Sequence, residues 1–165
     1  MNNLFISKWW GNYIGGCDDS LLLLDYLGKY ASDNLTLRQI FEDIHLESAL
    51  ELGEIENADL YFELKPEYEP HFDMAVNVII DLSAILLECL HNKQVTISDL
   101  DESTEYQKTI SLSATKQDIS LLKKGLDKFI NTPQLFDLAD FLDEDELSEL
   151  INDCQSVSNE LNAFI

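Results

Sequence analysis

The chain has 165 residues, 45 % of them apolar, and sets 10 Lys and Arg against 32 Asp and Glu for a formal charge of -22. That length buries one core and fits one domain rather than two, while the negative potential works against direct binding of nucleic-acid backbones or anionic lipid. With 10 % aromatic residues and long Leu and Ile runs, the acidity describes the surface around a core and not a disordered chain.

Leu4 to Ile14 carries many β-formers (Phe5, Ile6, Trp9, Trp10, Tyr13) and stops at Gly15-Gly16, which predicts a strand ended by a turn. Of Trp9 and Trp10, at least one is expected in the core and the other half exposed. Asp18 or Asp19 can cap a helix through Leu21–Leu24 to about Tyr30. Thr36 with Gln39 three residues later matches a capping box that opens a second helix, with Leu37, Ile40, Phe41 and Ile44 on one face. Leu60, Phe62 and Leu64 alternate with polar neighbours, a short strand fenced by Pro66 and Pro70.

From Asp73 to about His91 the chain is apolar almost all round, and Met74–Leu90 reads as the central core helix. Its one polar stripe is Asp73, Asn77, Asp81, Ala84 and Glu88, which is expected to face solvent or a partner because an unpaired buried carboxylate is costly. The stretch is interrupted by charges and short for a bilayer span, so no membrane segment is expected. Val95–Ile97 and Thr109–Leu112 predict a hairpin across the polar loop Ser98–Gln107. A helix follows from about Thr115, with Ile119, Leu122, Leu126 and Phe129 inward and Lys116, Lys123, Lys124 and Lys128 on its other faces. Thr132-Pro133 opens a short helix to Leu142. The last helix starts near Glu144, its first turn acidic as the helix dipole favours, with Leu147, Leu150, Ile151, Cys154, Val157 and Leu161 inward. The fold class is α+β: a helix-dominated single domain with a small, mostly antiparallel sheet and a central apolar helix.

Catalytic chemistry finds little support in the pattern. Cys17, Cys89 and Cys154 are odd in number and form no CxxC pair, which points to a reducing compartment and to small buried hydrophobes at Cys89 and Cys154. His45, His71 and His91 have no metal-binding spacing, and Gly11, Gly15 and Gly16 lack the lysine and spacing of a phosphate loop. Asp99, Asp101, Ser103 and Glu105 alternate as calcium ligands do, but Thr104 and Ile110 stand where an EF-hand needs Gly and Glu. Glu67, Glu69, His71 and Asp73 read as an acidic loop. No metal, cofactor or export signal is expected, and the expected location is the cytoplasm.

The distribution of charge carries more information. Between Gln39 and Asn92 stand 13 acidic residues and one basic residue, Lys65. After Lys128 there is no cation, while Asp137, Asp140, Asp143, Glu144, Asp145, Glu146, Glu149, Asp153 and Glu160 follow. Such clustering costs self-repulsion that a cationic partner relieves and exploits for fast association; generic solubility is the competing explanation. The expected binding surface is Asp140, Asp143, Glu144, Asp145 and Glu146 at the last helix junction, with Glu51, Glu54 and Glu56 as the second candidate.

The opening Phe-Ile-Ser-Lys-Trp-Trp-Gly-Asn-Tyr-Ile-Gly, the Leu-rich helix ending Asp-Tyr-Leu, and Phe-Glu-Asp-Ile resemble the start of immunity proteins from bacterial contact-dependent growth inhibition and other polymorphic toxin systems. The later Ile-Ser-Leu-Ser-Ala-Thr before an amphipathic helix is similar to segments of such proteins. The resemblance implies a non-catalytic, cytosolic protein that binds a cognate toxin domain, often a nuclease, and covers its active site or substrate path. It carries no catalytic residues across. A nuclease presents Lys and Arg to phosphates, so an acidic inhibitor complements it. The alternatives are an acidic nucleic-acid mimic that sequesters a host DNA- or RNA-binding protein, and a non-catalytic acidic adaptor.

Overall fold

Helix α4 (Ala75–Asn92) is the axis of the computed structural model of the protein, which describes residues 4–30, 32–63 and 67–165. By length and composition α4 could cross a membrane, but 83 % of it is buried inside the protein. It is enclosed by α1 (Asp18–Asp25), α6 (Lys116–Asn131), α8 (Glu144–Asn162), β3 (Thr109–Ser113) and a 3-10 turn at Phe5–Lys8. Val78, Ile79, Leu82, Ile85, Leu86 and Leu87 have no exposed surface, and burying each such side chain contributes about 1.5–3 kcal/mol. The buried apolar side chains form one contiguous cluster around this helix.

The polar stripe of α4 does not face solvent or a partner. Asp73 is exposed, but Asn77, Asp81 and Glu88 are buried, and the N-terminal segment supplies their hydrogen bonds. Glu88 accepts from the backbone N–H of Ile6 at 2.9 Å and from the Asn92 amide. Asp81 accepts from the N–H of Gly15 at 2.9 Å and from the Ser20 hydroxyl. Asn77 accepts from the Tyr13 hydroxyl at 2.9 Å. Burial without a cation pushes the Asp81 carboxyl up to about 7, against the lowering effect of its two donors.

The same bonds explain why the strand expected over Leu4–Ile14 does not form. A 3-10 turn at Phe5–Lys8 and a series of turns take its place, with Ile6, Trp9 and Ile14 buried. β-propensity measures how well a residue fits a half-buried surface; here α4 is that surface, and side-chain carboxylates take the N–H groups a neighbouring strand would have taken. Trp9 is buried, and the half-exposed Trp10 donates its indole N–H to the Leu100 carbonyl at 2.8 Å. Gly15 has φ +77, and a Cβ there would lie 2.3 Å from the Trp10 ring. Both the left-handed backbone and the close ring require glycine.

Helix α1 is capped by Cys17, not by Asp18 or Asp19: the Ser20 hydroxyl accepts from the Cys17 N–H at 3.3 Å. Asp19 is thereby released to the start of α4, where it accepts from the N–H groups of Asp73 and Met74 and from the Asn77 amide at 2.7, 3.0 and 2.8 Å. Met74, the N-cap of α4, offers no side-chain cap, so a carboxylate from a distant helix serves that end and complements its dipole. The chain leaves α1 through a π-helical turn, Tyr26–Tyr30.

The predicted capping box forms at Thr36 and Gln39 and opens α2 (Leu37–Asp43), followed by α3 (Glu47–Leu52). The sheet is mixed, with order β1-β3-β2. β2 (Val95–Thr96) and β3 pair antiparallel, as the expected hairpin requires, and β1 (Asn34–Thr36) adds a parallel pair with Leu35 opposite Leu112. Ile97, expected to end the first strand, instead opens a helical turn, α5 (Ile97–Leu100), at the start of the hairpin loop. The strand expected at Leu60–Leu64 is reduced to one antiparallel bridge between Tyr61 and His71; Leu64, Lys65 and Pro66 lie outside the described residues. The short helix expected from Thr132 to Leu142 divides into a 3-10 turn, Pro133–Leu135, and α7 (Leu138–Phe141). The break falls at extended, buried Phe136, which packs edge-on to Phe129 at 5.3 Å. The helix-dominated α+β class is thus the observed one.

Candidate partner-binding surfaces

The two acidic clusters differ in their counterions. In the first, Glu51 lies 3.6 Å from Arg38, whose guanidinium also meets Glu47 at 3.0 Å and the buried Asp118 at 2.6 Å. Glu56 is paired with Lys128, and that ammonium also donates to the Gly53 carbonyl. Two of the three predicted carboxylates therefore serve to hold α3 and its following loop onto α2 and α6. Glu54 makes no ion pair among the described residues and lines an open groove of about 610 Å³ with Leu52, Asp59 and His45. Leu52 is 70 % exposed.

The second cluster has no such counterions. Asp140, Asp143, Glu144, Asp145 and Glu146 are all exposed, and none of them has an ion-pair partner among the described residues. Asp143 and Glu146 bond each other's backbone: Asp143 accepts from the Glu146 N–H at 2.8 Å and Glu146 accepts from the Asp143 N–H at 3.1 Å. This reciprocal cap starts α8 and leaves Asp140, Glu144 and Asp145 outside the cap bonds, in the first turns of α7 and α8 where the helix dipole favours acids. Farther along α8, Glu160 meets Lys8 at 3.8 Å.

Beside the junction, Tyr13, Asn12, Leu142 and Leu150 enclose a cleft of about 230 Å³ with Glu146, Glu149 and Asp153. Partial burial and the neighbouring Glu149 charge raise the Asp153 carboxyl above the ordinary carboxylate range. Phe141, the residue before Leu142, is 73 % exposed, and Leu135 in the preceding turn is 54 % exposed. The charge pattern points to this junction, but a reading of 132–142 as one short helix does not single out the exposed apolar side chains within it.

The scattered histidines are partly gathered by the fold. His45 stacks on Tyr61 (4.0 Å between centroids) and Tyr61 on His71 (4.9 Å), while His71 Nδ1 lies 2.8 Å from Asp59. His91 stacks separately on Phe5. Among the described residues no group of three or more His, Cys, Asp or Glu side chains is placed to hold a metal. In the loop once compared with a calcium site, Asp101 accepts from the N–H and hydroxyl of Ser103 at 3.0 and 2.7 Å, a local turn. All three cysteines are free; burial pushes the Cys89 thiol up to about 11 and raises those of Cys17 and Cys154, which suppresses the thiolate that reactive chemistry needs.

No curated protein and no solved structure matches the chain. The model of one protein family matches residues 5–161, nearly the whole chain, and that family is described as Immunity protein 68. The chain belongs to the Immunity protein 68 family.

Proposed function

We propose that this protein neutralises a cognate bacterial toxin domain with a basic surface, most simply a nuclease, by lying across its active site or substrate path. Membership of an immunity family supports a toxin partner. The observation that carries the basic partner is the α7–α8 junction, where Asp140, Glu144 and Asp145 are exposed, without ion-pair partners among the described residues and outside the cap bonds. A nuclease holds its substrate by Lys and Arg on phosphates, so the surface that binds the substrate is also the one that attracts these carboxylates.

On this reading the protein works in the cytoplasm of the cell that makes it and catalyses nothing itself. Glu51 and Glu56 contribute to the shape of the α3 face through their ion pairs, and Glu54 to its charge. The junction is the primary docking surface and the α3 groove the secondary one.

The test is co-expression with the toxin domain encoded by the neighbouring gene. Growth rescue, co-purification of the two proteins and loss of the toxin's nuclease activity on adding pure protein are the expected results. A co-purifying toxin with no activity on DNA or RNA would retain the immunity role and discard the nuclease. Binding to a host DNA-binding protein in place of the toxin would favour the mimic.

A further inference from the structure

We propose that Phe141 and the adjoining cleft between Tyr13 and α8 form the anchor of the toxin interface, Phe141 entering an apolar hollow on the toxin and the cleft receiving one of its Lys or Arg side chains. The inference rests on the immunity reading and deepens it by naming which surface docks and how.

Phe141 carries the first half. A phenylalanine 73 % exposed on α7, one residue from Asp140 and two from the cap Asp143, contributes nothing to the core and costs hydration. Single exposed apolar residues are common on protein surfaces; this one stands in the only run of the sequence where nine carboxylates follow the last cation. Interface anchors have this composition, an aromatic side chain at the centre of a polar rim.

The cleft carries the second half. Its lining combines apolar surface from buried Leu150, half-buried Leu142 and Tyr13 with the carboxylates of Glu146, Glu149 and Asp153. A lysine or arginine suits it on both counts, since its methylene stem lies on apolar surface while its head reaches carboxylates. No cation of the described chain fills that role. Glu146 is engaged in the α8 cap, so Glu149 and Asp153 are the groups that meet the incoming charge. Tyr13 is itself held by its hydroxyl bond to Asn77 of α4, which fixes the cleft wall to the buried central helix. The Leu52 groove has an exposed apolar side chain too, but there Arg38 and Lys128 already neutralise neighbouring acids.

The probe is the toxin domain of the neighbouring gene, inactivated so that it can be purified, with affinity and rates measured against four variants. Phe141→Ala is expected to raise Kd about tenfold or more, largely through faster dissociation, and Phe141→Tyr to stay within about threefold of wild type. Glu149→Gln with Asp153→Asn should slow association and weaken its salt dependence. Because all these side chains are exposed or half-buried, thermal unfolding should be little changed. Wild-type affinity in both Phe141→Ala and the Glu149/Asp153 variant overturns the proposal, as does loss of binding only on Glu54→Lys, which places the interface on the α3 groove while keeping the immunity role. Failure of the wild-type protein itself to bind overturns both.

Discussion

The backbone N–H of Gly15 points at the Asp81 carboxylate, 2.9 Å away and 66 residues along the chain. With the Ser20 hydroxyl it holds an uncompensated acid in the core, and this pins the N-terminal segment to α4. Asp81 titrates near 7 when folded and near 3.8 when unfolded. A raised carboxyl binds its proton more tightly in the folded state, so its contribution to stability is fully present below about 3.8 and is lost as pH rises through about 7, with a slope of at most about 1.4 kcal/mol per pH unit. Urea unfolding of the wild type should therefore show stability falling between about pH 4 and 7 more steeply than in Asp81→Asn, which cannot titrate. Parallel pH curves for the two proteins would show that Asp81 is ionised throughout.

Ile79 and Leu86 have no exposed surface. Truncating either to Ala should cost about 2–5 kcal/mol, set by how far the neighbours relax into the cavity. Denaturant titration checks this, and a loss under about 1 kcal/mol at both positions would contradict the placement of α4 at the centre of the core.

Gly15→Ala joins two penalties, a left-handed backbone and a Cβ 2.3 Å from the Trp10 ring. It should destabilise by more than about 1 kcal/mol and shift tryptophan fluorescence, as Trp10 is displaced from its bond to Leu100. Unchanged stability and emission would mean that the N-terminal turn tolerates another geometry.

What was legible in the sequence followed the range of the interactions. The Thr36–Gln39 box is local, three residues across, and reads correctly, as does the start of α8 near Glu144. The central helix was visible because its apolar run is long enough to decide between helix and strand. The N-terminal segment and the α4 stripe were misread together, since each is the other's partner: carboxylates at 81 and 88 look solvent-seeking only while the N–H of residue 6 is assigned to a sheet and that of residue 15 to the turn that ends it. The junction was legible as charge. The division between acids that hold the fold and acids that do not was hidden, because Arg38 and Lys128 reach Glu51 and Glu56 only through packing of α2, α3 and α6.

That division changes which substitutions isolate binding from folding. Asp143→Ala removes the α8 cap and should cost about 0.5–2 kcal/mol. Asp140→Lys with Asp145→Lys leaves the cap bonds intact, and the relief of repulsion among like charges offsets the lost dipole interaction of the two first turns, which should keep the unfolding midpoint near that of the wild type. Calorimetry of the two variants distinguishes these outcomes; a double-lysine protein as unstable as Asp143→Ala would mean that Asp140 and Asp145 hold the fold after all.

The most direct test of the central claim is the association rate with the inactivated toxin domain, measured for the wild type and for Asp140→Lys/Glu144→Lys/Asp145→Lys across a salt series. If the junction is the docking surface for a basic partner, the wild-type rate falls steeply as salt rises, and the variant associates at least about tenfold more slowly at low salt with a flattened dependence. Equal rates for the two proteins, insensitive to salt, would contradict the claim and leave the acidity to solubility alone.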